Sequence, residues 1–269
     1  MVARSFGQPV RCERGINIGA LRCIAFSLYN DTVNEIAHNV ERIRERIRAA
    51  ALRSGRQPEE VTLVAVSKTV DPKHIEAAMA TGQTLFGESK VQEARAKIPF
   101  VSQRARWHLV GHLQSNKARE AVALFELIHS VDSVRLAVEL NKWAERAGKV
   151  QPILLEVNTS GEASKFGLKP EDVQAALREV CQLPRIEVQG LMTIAPFFED
   201  AEQARPSFRR LRELRDAAGL RELSMGMTHD FEIAIAEGAT LVRIGTAIFG
   251  ERTGRHRVDE GGNPGNEPE

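Results

Sequence analysis

From residue 61 to residue 250 the chain alternates between two kinds of segment. One kind is short, apolar and β-branched: VTLVAVSKT (61–69), TLFGES (84–89), RWHLVG (106–111), ELIHSVD (126–132), QPILLEVN (151–158), IEVQGLMTIA (186–195), ELSMGMT (222–228) and LVRIGTAIFG (241–250). These runs read as buried strands. The other kind carries apolar residues at helical spacing and follows seven of the eight runs. Strands joined by helices pair in parallel, and parallel sheets are covered on both faces. Eight such units in one domain predict a closed (β/α)8 barrel of the TIM type. A doubly wound open sheet is the structural alternative, and the regularity of the repeat favours closure.

An extra helix precedes the first strand. Ile36, Val40, Ile43, Ile47 and Leu52 form its apolar stripe over 34–53, and Gly55 closes it. Asp71 and Pro72 start the helix after the first strand as N-cap and N1, and Gly82 ends it. Residues 1–30 hold four arginines and one acid, Glu13, and Arg22 breaks the longest apolar run. That argues against a secretory h-region. A transit peptide and an unstructured extension both fit, and the extension is the simpler reading. Residues 252–269 are rich in Gly, Pro and charge and are expected to be disordered. Residues 31–251 then form one domain.

Composition excludes several classes. Thirty-seven basic residues face 36 acidic ones, a net charge of +1, which leaves no footprint for nucleic acid. No apolar run reaches the roughly 18 residues that a membrane span needs. Cys12, Cys23 and Cys181 are spaced too widely for a disulfide framework or a zinc set, which points to a reducing cytoplasm.

Barrel chemistry sits at the C-terminal ends of the strands. The first strand ends in Ser67-Lys68-Thr69. Burial of a lysine there favours a neutral amine that attacks carbonyls. The plainer reading is a lysine that snorkels to the rim and pairs with an acid. The seventh strand ends in Ser224-Met225-Gly226-Met227-Thr228 directly before a helix, offering hydroxyls, a permissive glycine and free N–H groups. The eighth carries Arg243, then Gly245-Thr246. Barrels often bind phosphate in the loops after strands seven and eight, and strand eight neighbours strand one on closure. A phosphorylated aldehyde is one ligand that uses the whole set; tight turns alone would also explain the glycines.

AVSKT, FGESKVQE, WHLVGHLQSNK, GLMTIAP, LSMGMTHDFEIAIAEGAT and LVRIGTAIFG resemble the YggS/PROSC family of pyridoxal-phosphate-binding proteins, in matching order from about Asn34 to Glu251. The resemblance implies the barrel domain of alanine racemase without its second β domain. It implies pyridoxal 5′-phosphate as cofactor and a role in vitamin B6 and amino- and keto-acid homeostasis, with no established turnover. Residue by residue, Lys68 matches the lysine of the internal aldimine. Ser224, Gly226, Met227 and Thr228 match the first phosphate turn, and Gly245 and Thr246 the second. Arg243 matches the arginine facing the pyridine nitrogen, where a fixed cation disfavours protonation and weakens the ring as an electron sink. The family usually reads FGENYVQE, whereas this chain has Ser89-Lys90. Ser89 is expected near the cofactor, and Lys90 either points inward toward Lys68 or swings to solvent.

Other signals are weaker. His108 and His112 lack the setting of a zinc pair, and His112 is expected at the pocket. His229 adjoins the phosphate turn. Residues 161–167 form a long loop that would serve as a lid or lie on the surface. Phe208-Arg209-Arg210-Leu211-Arg212 reads as the solvated face of a helix, and Cys181 as a core residue. An amino-acid racemase would need a second acid–base group, and the single tyrosine, Tyr29, precedes the barrel. A Schiff-base aldolase is a further alternative on the same fold, and a regulatory module that binds a protein partner is another. The resemblance implies a monomer, with cofactor-dependent acceptor enzymes as partners.

Overall fold

The computed structural model describes residues 18–162 and 165–250, with side chains from residue 32. Helix α1 (Ile18–Arg53) leads into β1 (Thr62–Val66), α2 (Pro72–Ala80), β2 (Leu85–Glu88) and α3 (Val91–Lys97). Then come β3 (Arg106–Leu109), α4 (Ala118–Leu124), β4 (Leu127–Val131), α5 (Val134–Arg146), β5 (Gln151–Glu156) and α6 (Val173–Val180). The chain continues through β6 (Ile186–Met192), α7 (Arg205–Ala218), β7 (Glu222–Ser224), α8 (Phe231–Ala236), β8 (Leu241–Ile244) and α9 (Thr246–Phe249). Each strand pairs in parallel with the next, and β8 closes on β1 with Val64 opposite Arg243. The closed barrel is therefore present. Among the described residues no helix is long and apolar enough to cross a membrane.

Two apolar layers hold it. The larger lies between the strands and the helices. The smaller fills the barrel and comprises Val64, Val66, Leu85, Val110, Leu127, Leu154, Met192 and Leu241. Side chains alternate along a strand, so a residue two places from a barrel-filling one shares its inward direction. By that parity Glu156 and Arg243 lie above the aliphatic plug, and Lys68, Ser89 and His112 follow the C-terminal ends of β1, β2 and β3 at the same mouth. The strand ends turn polar on their inner face, and that change of character locates the site.

Four expectations change. Helix α1 begins at Ile18, within the stretch expected to be unstructured. From Ile18 to Val33 the sequence contains no proline and only one glycine, so helix propensity carries it without a stop. Residues 1–17 and 251–269, including Cys12 and the expected disordered tail, lie outside the described residues. The last run is not one long strand: it bends at Gly245 into α9. Leu52 is exposed, because the buried stripe continues from Ile47 to Ala50 and Ala51. Cys181 is exposed at the C-cap of α6, one residue past buried Val180, so it has rotated off the buried face.

Helix α1 packs against α2, α8 and α9. It thus takes the place in the outer ring that a long eighth helix would fill. Asn39, 8% exposed, donates from Nδ2 to the Ile248 carbonyl of α9 at 3.1 Å. Asn39→Ala strands that carbonyl. We expect a loss of about 1–2 kcal/mol, or a melting temperature lower by about 2–8 °C; an unchanged melt by calorimetry would mean that this bond does not hold α9. On α7, Phe208 and Leu211 are buried while Arg205, Arg209 and Arg212 pair with buried Glu237. The basic run is thus a solvated face with one buried acid anchoring it.

Candidate functional site

Lys68 is half-buried just beyond the end of β1. The residues around its backbone are unusually constrained. Thr69 has φ 63°, a left-handed conformation that is rare for a β-branched residue. Beneath lies a buried cluster in the layer between β2 and α3. Ser67 Oγ donates to Glu88 Oε1 at 2.7 Å, and Lys97 Nζ donates to the same oxygen at 2.7 Å. Burial pushes the Glu88 carboxyl up, against the opposing bonds from Lys97 and Ser67.

The turns after β7 and β8 lie together, and the second meets β1. Gly226 has φ 89°, and a Cβ there would lie 2.6 Å from Ala234 Cβ and 2.8 Å from Phe231 Cα. Only glycine lets this turn lie on α8. A Cβ on Gly245 would fall 2.9 Å from the Val66 carbonyl oxygen, which brings the second turn against the strand carrying Lys68. The Arg243 amide donates to Gly226 O at 3.0 Å and ties the two turns together. The Met227 amide is held by Asp230 Oδ1 at 2.6 Å, so Met227 shapes the turn. Thr228 is half-buried and Thr246 exposed at the first residue of α9. Helix starts with open N–H groups favour an anion.

Arg243 is 5% exposed. Its Nη1 donates to Ser224 Oγ at 2.6 Å and its Nη2 to the Thr193 carbonyl at 2.9 Å. Burial lowers its pKa to about 10, opposed by Asp230 and Glu156, so it remains cationic at neutral pH. Ser224 is fully buried and also meets His129 Nδ1 at 2.8 Å, while His129 Nε2 meets His108 Nδ1 at 2.9 Å. Strands β4 and β7 are not neighbours, so this chain crosses the barrel lumen. Arginine only donates, so Ser224 Oγ accepts from Arg243, while the direction of the two histidine contacts is set by the His129 tautomer. Burial holds both imidazoles neutral: His108 falls to about 3, with Arg106 contributing, and His129 falls well below its usual value, with His108 and Arg243 contributing. Ser224 therefore orients Arg243.

Around the rim, Ser89 is half-buried and Lys90 is exposed at the N-cap of α3, so the inward placement of Lys90 is not what the structure has. The His112 ring stacks on Phe166 with centroids 3.8 Å apart, and Nδ1 approaches Asp132 Oδ2 at 3.4 Å. The loop after β5 thus reaches across the mouth to β3. His229 faces outward to Glu199 O and the Phe197 ring.

Sequence reading passed over Glu88, Lys97, His129, Thr193 and Glu156. Glu88 and Glu156 end their strands as Lys68 does, and the same strand-end rule would have found them. Glu156 is 6% exposed and its Oε2 has no hydrogen-bond partner. Burial raises its carboxyl to about 7, Asp132 adds to the rise and Arg243 opposes it. The folded chain therefore holds that proton more tightly than the unfolded chain, whose carboxyl titrates near 4.5. The group's stabilising contribution is full below about pH 4.5 and is lost as pH rises through 7. Glu156→Gln is expected to match the parent near pH 4 and to exceed it near pH 8, by at most about 3 kcal/mol. Denaturant melts at the two pH values check this, and a constant difference would show that Glu156 does not titrate in that window.

Residues 32–253 match the family of the alanine racemase N-terminal domain. The pyridoxal phosphate homeostasis protein of Aquifex aeolicus is 44% identical over 220 residues, covering 79% of this chain and 96% of that protein. The Escherichia coli K12 protein of the same name is 42% identical over 235 residues, covering 82% and 98%. The chain belongs to the pyridoxal phosphate homeostasis protein family. A solved family structure, Synechococcus elongatus PipY with pyridoxal phosphate bound, superposes with a TM-score of 0.67 at 42% identity, covering 77% of this chain and all of that one.

Proposed function

We propose that this chain binds pyridoxal 5′-phosphate at the barrel mouth through Lys68 and acts in the homeostasis of that cofactor and of amino and keto acids. The observation that carries the reading is the convergence of a half-buried strand-end lysine, a buried arginine and two glycine-pinned turns on one rim. When bound, the cofactor supplies an aldehyde that condenses with amines and a ring that withdraws electrons. The residues present fit it. The turns at Gly226–Thr228 and Gly245–Thr246 admit no side chain at their glycines and carry the hydroxyls of Thr228 and Thr246, which suit a phosphate. Lys68 supplies the amine. Arg243, fixed by Ser224 and Thr193, would hold its cation toward the ring nitrogen and so disfavour a proton there. Ser89 lines the rim beside Lys68. A site with an unprotonated ring is a weak electron sink, which suits a holder better than an enzyme.

Residues 31–251 form the binding domain in this reading. It acts as a cytoplasmic monomer that passes cofactor to acceptor enzymes. Adding pyridoxal phosphate to the purified protein is expected to produce a visible absorption band, and borohydride followed by peptide mapping to place one adduct on Lys68. Adducts scattered over surface lysines would leave only a shared fold and reopen the aldolase reading.

A further inference from the structure

We propose that Lys97 is a positioning residue that fixes the backbone on both sides of Lys68 and so aims its amine. The proposal rests on Lys68 being the capturing lysine. Lys97 ends α3 and is 7% exposed. Its ammonium has three protons and three acceptors: Ser67 O at 2.6 Å, Glu88 Oε1 at 2.7 Å and Glu93 Oε1 at 2.8 Å. Glu93 Oε1 also accepts the Thr69 amide. One buried nitrogen thereby holds the carbonyl of the peptide entering Lys68 and, through Glu93, the N–H of the peptide leaving it.

The location explains the need. Strand β1 ends at Val66, and Ser67 N–H to Gly87 O continues its pairing for one residue more. Beyond that, the sheet no longer holds the chain, and Lys68 and Thr69 sit in a turn closed by Val70 N–H to the same Ser67 carbonyl at 3.0 Å. The left-handed Thr69 costs about 1–2 kcal/mol and persists only where its surroundings hold it. If the hold is lost, Thr69 relaxes to an ordinary conformation and the Cα–Cβ direction of Lys68 turns with it. The capture step joins the Lys68 nitrogen to the aldehyde carbon as its oxygen leaves as water, so it depends on that direction. A plain structural ion pair would not need the Ser67 carbonyl or the Thr69 amide.

Lys97→Met removes the ammonium at similar volume. Glu93→Ala, at a residue 25% exposed, releases only the Thr69 side and leaves Lys97 on Glu88, so it guards against a folding failure of the first variant. Three readings are taken on each: the rate of pyridoxal phosphate capture by rapid mixing, equilibrium binding of pyridoxine 5′-phosphate (which lacks the aldehyde), and amide hydrogen exchange of the peptide spanning Lys68 in ligand-free protein. Capture is expected to slow by about 10- to 100-fold with pyridoxine phosphate binding within about twofold, and exchange at the spanning peptide to rise. Capture at the parental rate in both variants would overturn the proposal. So would a parallel fall in capture and pyridoxine phosphate binding, because that marks a collapse of the whole mouth. A parent protein that forms no adduct on Lys68 would overturn the functional reading as well, and so stands apart from the other two results.

Discussion

Lys68→Ala is expected to abolish covalent capture of pyridoxal phosphate while leaving the fold and most phosphate recognition in place. The side chain is half-buried beyond the end of β1, and the barrel plug of Val64 and Val66 lies below it, so truncation opens no core cavity. The phosphate turns are built from other residues: Gly226 is pinned by α8 and Gly245 by the Val66 carbonyl. Their geometry does not depend on the lysine. The variant is therefore expected to melt within about 2 °C of the parent, the range of an ordinary surface change. It should bind pyridoxine 5′-phosphate within about tenfold and yield no borohydride-trapped adduct. Mass mapping of the reduced protein is the decisive measurement. A remaining single adduct elsewhere at the mouth would move the chemistry to another lysine.

Gly226→Ala is expected to damage both stability and binding. Two effects combine. At φ 89° a side chain costs about 1–2 kcal/mol by itself. The added Cβ also overlaps Ala234 Cβ and the Phe231 backbone, and neither is the far end of a flexible chain. Overpacking of that kind adds about 1–3 kcal/mol. The loss of about 2–5 kcal/mol lowers the melting temperature by roughly 4–20 °C for a domain of this size. The binding effect follows from the same strain, since relief requires the turn to lift from α8 and the Arg243 amide to lose Gly226 O. Calorimetry together with a pyridoxine phosphate titration tests it. A fall in stability with unchanged affinity would show that the turn packs the barrel without contacting the phosphate.

The barrel was legible because eight parallel strands, each covered on both faces, leave a periodic trace of apolar runs and helical stripes. The strand-end rule then singled out Lys68, Ser224, Gly226, Arg243 and Gly245 without any knowledge of contacts. The end of the eighth run reads as strand because Thr246-Ala247-Ile248-Phe249 is apolar and β-rich in composition, yet it forms α9 against α1. Cys181 reads as core from the helical spacing, yet it lies one residue past the end of α6 and so leaves the buried face.

The sequence by itself determined the closed barrel, the mouth at which chemistry sits and the residue types gathered there, since local periodicity and the order of strands suffice for those. Tertiary structure alone decided what those residues do to one another. His129 reaches Ser224 across the lumen and Lys97 reaches Ser67 from α3. These contacts join groups 95 and 30 positions apart in the chain. No local pattern encodes such a meeting, because it depends on how strand register and helix packing place side chains once the barrel has closed.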